Sequence, residues 1–167
     1  MSSAPVLSCR AISPAELEDL FPFLLTYLRE LALYEPPSVS SATPEGARQY
    51  LRHLAADPAR HLWWTLLDGQ RVGFACFRFL PVPPWSSEPA GLIDDFYILP
   101  PNRRQGLGRL AVEALVAYLR QRGAKGVRLN ALIENEAAVA FWQAAGFRPL
   151  GTLLGTAYVM ERPLEDA

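Results

Sequence analysis

Between Ile98 and Leu110 the chain reads ILPPNRRQGLGRL, which sets three arginines, Arg103, Arg104 and Arg109, around two glycines, Gly106 and Gly108. Glycines let a backbone come close to a ligand, and a helix that starts among them leaves its first N–H groups unpaired and aimed outward. Bare amides attract anions, and paired cations at the same end suit a pyrophosphate. Just upstream, Asp94 and Asp95 interrupt an apolar run, GLIDDFYIL. Adjacent residues of a strand point to opposite faces, so Asp94 shares the side of Phe96 and Ile98, and Asp95 that of Ile93 and Tyr97.

These groups need elements to hold them. After the glycines, Leu107, Leu110, Ala111, Ala114, Leu115, Tyr118 and Leu119 recur at the helical period, and Gly123 ends the segment. Before the loop, Gly91 to Leu99 reads as a strand; after the helix, GVRLNALI reads as another. Val6 to Ile12 is a first strand, and Ser13-Pro14 with Glu16 is a helix start that carries on to about Tyr34. A second helix is expected from about Pro44 to Ala56. The runs HLWWTLL and RVGFACFRFL flank Asp68-Gly69, a hairpin signal. NEAAVAFWQAAG is a last helix and TAYVMERP a last strand. The order strand, two helices, three strands, helix, strand, helix, strand describes one mixed α/β domain over residues 1–167.

With 167 residues, half of them hydrophobic, the chain can bury one sizeable core. Its net charge of −1 gives no reason to expect a nucleic-acid partner, yet from Pro100 to Arg128 seven basic residues face one acid, Glu113. Cys9 and Cys76 lack CxxC spacing and form no ligand cluster with His53 and His61, so free thiols and no metal are expected. No signal peptide is read at the N-terminus, and the most apolar helical stretch, Phe21 to Tyr34, is too short to span a bilayer. No membrane association and a cytoplasmic location are the expectation.

A phosphate-binding P-loop would need Gly-Lys-Ser/Thr, which the opening stretch lacks. A dinucleotide fingerprint fits Gly106, Gly108 and Ala111, but further parallel βαβ units are missing and Glu134 is the nearest acid for a ribose. Ile98-x-Pro100-x-x-Arg103-x-x-Gly106-x-Gly108 resembles the V-x-P-x-x-R/Q-x-x-G-x-G/A signature of the GNAT acetyltransferase superfamily. Asn135-Glu136-x-Ala138-x-x-Phe141-Trp142-x-x-x-Gly146-Phe147 resembles its second motif. Together the two blocks cover Gly91 to Pro149.

The resemblance implies a mixed, mostly antiparallel sheet flanked by helices, with a central β-α-β unit that binds acetyl-CoA and transfers acetyl to a primary amine. Arg103 to Arg109 would wrap the pyrophosphate, chiefly through backbone N–H groups of Arg104, Gln105, Gly106, Leu107 and Gly108. Phe96 and Ile98 would offer backbone groups to the pantetheine, with the Ile98 N–H donating to the thioester carbonyl. Asn135 would bind the pantetheine or nearby backbone. Trp142 stands where the family commonly has a tyrosine acid, beside the pantetheine or in the core. An indole N–H is no acid at neutral pH; Tyr97, Tyr158 and Tyr34 are the alternatives, or solvent protonates the thiolate.

DDFYI resembles the acidic pair of the diamine and polyamine acetyltransferase branch, which implies Asp94 as base, directly or through water, and Asp95 as support or amine ligand. An ammonium near pKa ~10.4 must lose its proton before it can attack. Tyr34, Glu35, Trp85 and Glu88 lie in the two loops that usually shape the acceptor site, and an acidic, aromatic wall suits a small cationic amine. A homodimer follows from family tendency. Two other readings stay open: a GNAT-like domain that binds acyl-CoA without catalysis, and a nucleotide-cofactor oxidoreductase built on the Gly106 to Ala111 turn.

Overall fold

Asp68 and Gly69 both take positive φ, 50° and 79°, and reverse the chain between β2 (Arg60–Leu67) and β3 (Gln70–Leu80), as the Asp-Gly pair predicts. The hairpin belongs to a seven-stranded sheet in the computed structural model, which describes residues 4–36 and 42–165. β1 (Leu7–Ala11) pairs antiparallel with β2, and β4 (Ala90–Ile98) antiparallel with β3. β5 (Gly126–Leu132) runs parallel to β4. β7 (Ala157–Pro163) returns antiparallel to β5, with β6 (Arg148–Leu153) outermost, so the order is β1-β2-β3-β4-β5-β7-β6. The sheet is therefore mixed and mostly antiparallel, as the resemblance implies.

Two helices cover each face. α1 (Leu17–Leu31) and α2 (Pro44–Ala56) pack Leu20, Leu24, Tyr27, Leu51 and Leu54 against Trp64, Phe74, Cys76 and Tyr97. On the other face α3 (Leu107–Gln121) and α4 (Glu136–Ala144) set Val112, Leu115, Leu119 and Trp142 on Phe77, Ile93, Leu129 and Met160. Each fully buried leucine among these contributes about 1.5–3 kcal/mol. The helix starts use side chains: Thr43 Oγ1 accepts from Gly46 N–H at 3.0 Å, and the Ser13 N–H donates to Glu16 at 2.9 Å.

Two expectations about the elements change. The first helix, read to about Tyr34, begins with a single 3₁₀ turn, Pro14–Glu16, and its α-helical part stops at Leu31. β6 is a strand that the sequence does not announce. All six of its residues are exposed, and Pro149 and Gly151 lie inside it, so it shows neither alternation nor β propensity.

The decisive irregularity is in β4. Cys76 stands opposite Asp95 and Phe77 opposite Ile93, which leaves Asp94 without a partner: a β-bulge. The bulge shifts the alternation by one residue. Ile93 packs on the α3/α4 face, whereas Tyr97 packs on the α1/α2 face. The parity read from the sequence, with Asp95 on the side of Ile93, is therefore corrected; both aspartates turn toward α1 and α2.

Candidate active site

The parallel ladder is short. β4 and β5 pair only at Gly91↔Val127, Leu92↔Arg128 and Ile93↔Leu129, while β4 continues to Ile98 against β3 alone. Leu99 N–H donates to the Val72 carbonyl at 2.8 Å, so by the alternation of an antiparallel ladder Leu99, Tyr97 and Asp95 face β3. Phe96 and Ile98 face the opened side. The Ile98 carbonyl is taken by Arg103 Nε at 2.8 Å. What remains toward the split is the Ile98 N–H and both backbone groups of Phe96, an edge to which an extended polar chain can add.

At the end of that edge the loop changes character. Gly106 caps α3 at φ 78°, and a Cβ there would meet nothing within 4 Å; the position needs a left-handed backbone, not space. Gly108 is the reverse. Its Cβ would lie 3.1 and 3.2 Å from the Phe141 ring, so this glycine lets α3 close on α4. The close approach expected at both glycines is thus, at Gly108, an approach to Phe141. Among the described residues, the amides of Arg104, Gln105, Gly106, Leu107, Gly108 and Arg109 reach no backbone carbonyl; Leu110 is the first to do so, at Gly106. Arg104, Gln105 and Arg109 are exposed beside them. A row of free donors under two cations at a helix N-terminus fits a diphosphate.

Arg103 does not join that cationic rim. Its Nη1 and Nη2 donate to Glu30 Oε1 and Oε2 at 2.7 and 2.9 Å, and its guanidinium lies 5.2 Å over the Tyr97 ring. Tyr97 OH also donates to Glu30, at 3.2 Å. Arg103 in turn holds the Glu30 carboxyl below its usual range, and burial with the Glu30 charge pushes the Tyr97 phenol up to about 12.

The two carboxylates meet different partners. Asp94 accepts from Arg78 Nε and Nη2 at 2.9 and 2.7 Å, with Arg60 Nε 3.9 Å away. Asp95, 5% exposed, accepts from Tyr50 OH at 2.7 Å. Burial pushes its carboxyl up to about 6, against the hydrogen bonds of Tyr50 and Tyr27. The bulge thus sets an arginine-bound carboxylate beside a desolvated one.

The remaining sequence candidates separate. Asn135 caps α4, its side-chain oxygen accepting from Ala138 N–H at 3.2 Å. Trp142, 8% exposed, is boxed by Phe96, Phe141 and Phe147 with ring centroids 5.4, 4.9 and 5.3 Å away, so it belongs to the core that backs the split. Tyr34 and Glu35 close the turn after α1, and burial raises the Glu35 carboxyl. Trp85 lies against Arg128, 4.9 Å from guanidinium to ring, and Arg128 is itself paired with Glu161 at 2.6 Å. That aromatic face is therefore already occupied by one of the protein's own cations. Glu30, Tyr27, Tyr50, Arg78 and Arg60 were missed from the sequence. Their partners lie from 16 to 73 positions away, and no spacing marks them.

Comparison with known proteins supplies the family. A curated relative, aminoglycoside N(6')-acetyltransferase type 1 of Klebsiella aerogenes, is 30% identical over 103 residues, 59% of this chain and 66% of that protein. The enzyme of the same name from Stenotrophomonas maltophilia is 28% identical over 131 residues, 66% of this chain and 86% of that one. Among solved structures, an acetyltransferase from Thermus thermophilus superposes with a TM-score of 0.74 at 25% identity, covering 95% of this chain and 97% of the other. A PaiA N-acetyltransferase from Thermoplasma acidophilum, solved with coenzyme A, shares the fold at 0.73 and 15% identity, covering 95% and 99%. The model of the acetyltransferase (GNAT) family matches residues 25–147, from α1 through the aromatic box, and the chain accordingly belongs to the GNAT acetyltransferase family.

Proposed function

We propose that the protein is an acetyl-CoA dependent N-acetyltransferase that acetylates a primary amine by direct attack, a small cationic amine being the favoured acceptor. The observation that carries the reading is the continuity of unpaired donors: the free edge of β4 at Phe96 and Ile98 runs directly into the open amides of Arg104 to Arg109. One extended, diphosphate-bearing ligand accounts for both, and a PaiA N-acetyltransferase of the same fold was solved with coenzyme A. A dinucleotide at the same glycines would account for the helix end but leave the strand edge unexplained.

In this reading the Ile98 N–H, the last free donor of the strand, lies against the thioester carbonyl, where a hydrogen bond strengthens as negative charge builds on that oxygen. The Ile98 carbonyl, tied to Arg103, keeps that peptide from turning. Asp94, the more accessible of the bulge carboxylates, takes the ammonium proton through water while Arg78 holds it in place. Glu35 adds an acid to the acceptor side, and both named relatives are aminoglycoside N-acetyltransferases, which favours a polycationic amine. Trp142 leaves no proton donor at its position, and a thiolate of pKa ~8.5 departs without one.

The test is thiol release from acetyl-CoA with a panel of polyamines, aminoglycosides and amino acids, alongside calorimetry with CoA and NADP. Acetyl transfer to a cationic amine with CoA binding supports the proposal. CoA binding with no turnover on any amine would favour an acyl-CoA binding domain, and binding of NADP but not CoA would overturn the reading.

A further inference from the structure

The arginine that opens the phosphate-binding stretch points away from it. Arg103 commits its guanidinium to three acceptors of the protein: both oxygens of Glu30, in the last turn of α1, and the carbonyl of Ile98, the last residue of β4. The adjacent Arg104 takes φ 64°, unusual for a residue with a side chain, and begins the row of open amides. A single side chain therefore joins the end of the catalytic strand, the start of the anion loop and the helix that leads to the acceptor loop. Tyr97 closes the arrangement by donating to Glu30 and lying under the guanidinium.

We propose that Arg103 and Glu30 form a positioning clamp, in which Arg103 sets the anion loop and the Ile98 peptide through its contacts with Glu30 and the Ile98 carbonyl and does not itself bind phosphate. The proposal rests on the reading that the amides of Arg104 to Arg109 receive the CoA diphosphate. Its physical basis is the guanidinium fork. A planar donor set that matches a carboxylate on one edge and a carbonyl on another fixes direction, which a point charge does not. Because the clamp ends on α1, loading the loop and ordering the α1 C-terminus, with Tyr34 and Glu35 beyond it, are coupled.

The clamp and a direct phosphate contact predict opposite signs for one substitution. Glu30→Gln removes a negative charge next to the loop. If Arg103 were a phosphate ligand held back by Glu30, the variant would bind CoA more tightly. If Arg103 positions the loop, the variant binds CoA about tenfold more weakly in spite of the added net positive charge, because a charge-assisted bidentate pair is lost. Arg103→Lys keeps the charge and loses the fork, and should show a similar loss, with the kcat at saturating CoA reduced as well through the freed Ile98 peptide. Titration calorimetry of CoA and steady-state kinetics on both variants read these effects, with urea unfolding of each ligand-free protein as the control. Tighter or unchanged CoA binding by Glu30→Gln overturns the clamp. If that variant does not fold, Arg103→Lys decides through kcat at saturating CoA: a fall there together with the loss of affinity supports the clamp, and a wild-type kcat, with or without weaker CoA binding, overturns it. Absence of CoA binding by the unmodified protein would instead sink the underlying functional reading.

Discussion

Replacing Asp95 by asparagine should make the protein more stable at neutral pH, and the gain should vanish in acid. The Asp95 carboxyl has an ordinary value of 3.8 and is pushed up to about 6 by burial behind Tyr27 and Tyr50. Between these two pH values the folded chain keeps a proton that the unfolded chain has released, so stability falls as pH rises through the window, and the full cost is present above about 6. At about 1.4 kcal/mol per pH unit, ionised Asp95 costs about 3 kcal/mol. Asparagine has the same shape, and its carbonyl oxygen still accepts from Tyr50. The charged or titratable groups around it are Tyr27 on α1, Tyr50 on α2, Arg60 on β2, Cys76 on β3 and Asp94 beside it. Burial raises the two phenols and the thiol further, so none of these three changes charge between pH 4 and 8. Urea unfolding of both proteins at intervals from pH 4 to 8 gives the difference directly. It should be near zero at pH 4 and climb to about 3 kcal/mol by pH 7.5. A difference that does not change across this range would refute the argument, since some other group would then carry the titration.

Gly106→Ala should cost about 1–2 kcal/mol in urea unfolding through its φ of 78° alone, because the added Cβ has open space around it; a neutral result would show that the helix start can shift. Asp94→Asn should lower kcat at neutral pH about 100-fold while leaving CoA affinity within about twofold, and an unchanged pH-rate profile would remove Asp94 from the base role. Trp142→Tyr should lose about 1–2 kcal/mol of stability from the aromatic box with kcat equal to or above that of the parent, read by unfolding and thiol release; a tenfold fall in kcat would mean that the indole shapes the site.

Much of the architecture is legible because local chemistry decides it. Asp68-Gly69 announces its hairpin, Ser13-Pro14 a helix start, and the helical period places α3 from Leu107 to Gln121. The anion loop is legible for the same reason: arginines, glycines and helix onset are neighbours in the chain. The chemistry around it is not. Asp94 and Asp95 look like any adjacent strand pair until β3 is laid beside them, because a bulge is a property of two strands and not of one. Arg103 reads as a phosphate ligand because its spacing is right; Glu30, which claims it, lies 73 residues away. Trp142 fits core or cofactor by its spacing, and only the rings of Phe96 and Phe147 assign it to the core.

The unpaired position in β4 also bears on how the protein can be re-engineered. Because Ile93 and Asp95 already face opposite sides, removing Asp94 outright would leave every other side chain of β4 on its present face. The shortened strand would be regular and free to zip onto β5 past Ile93, sealing the gap on which the proposed chemistry depends. One residue of surplus length is then what keeps an ordinary sheet from forming. A deletion at this point would convert a catalyst into an inert scaffold with the side chains of both cores in place, a cleaner negative control than any substitution in the loop.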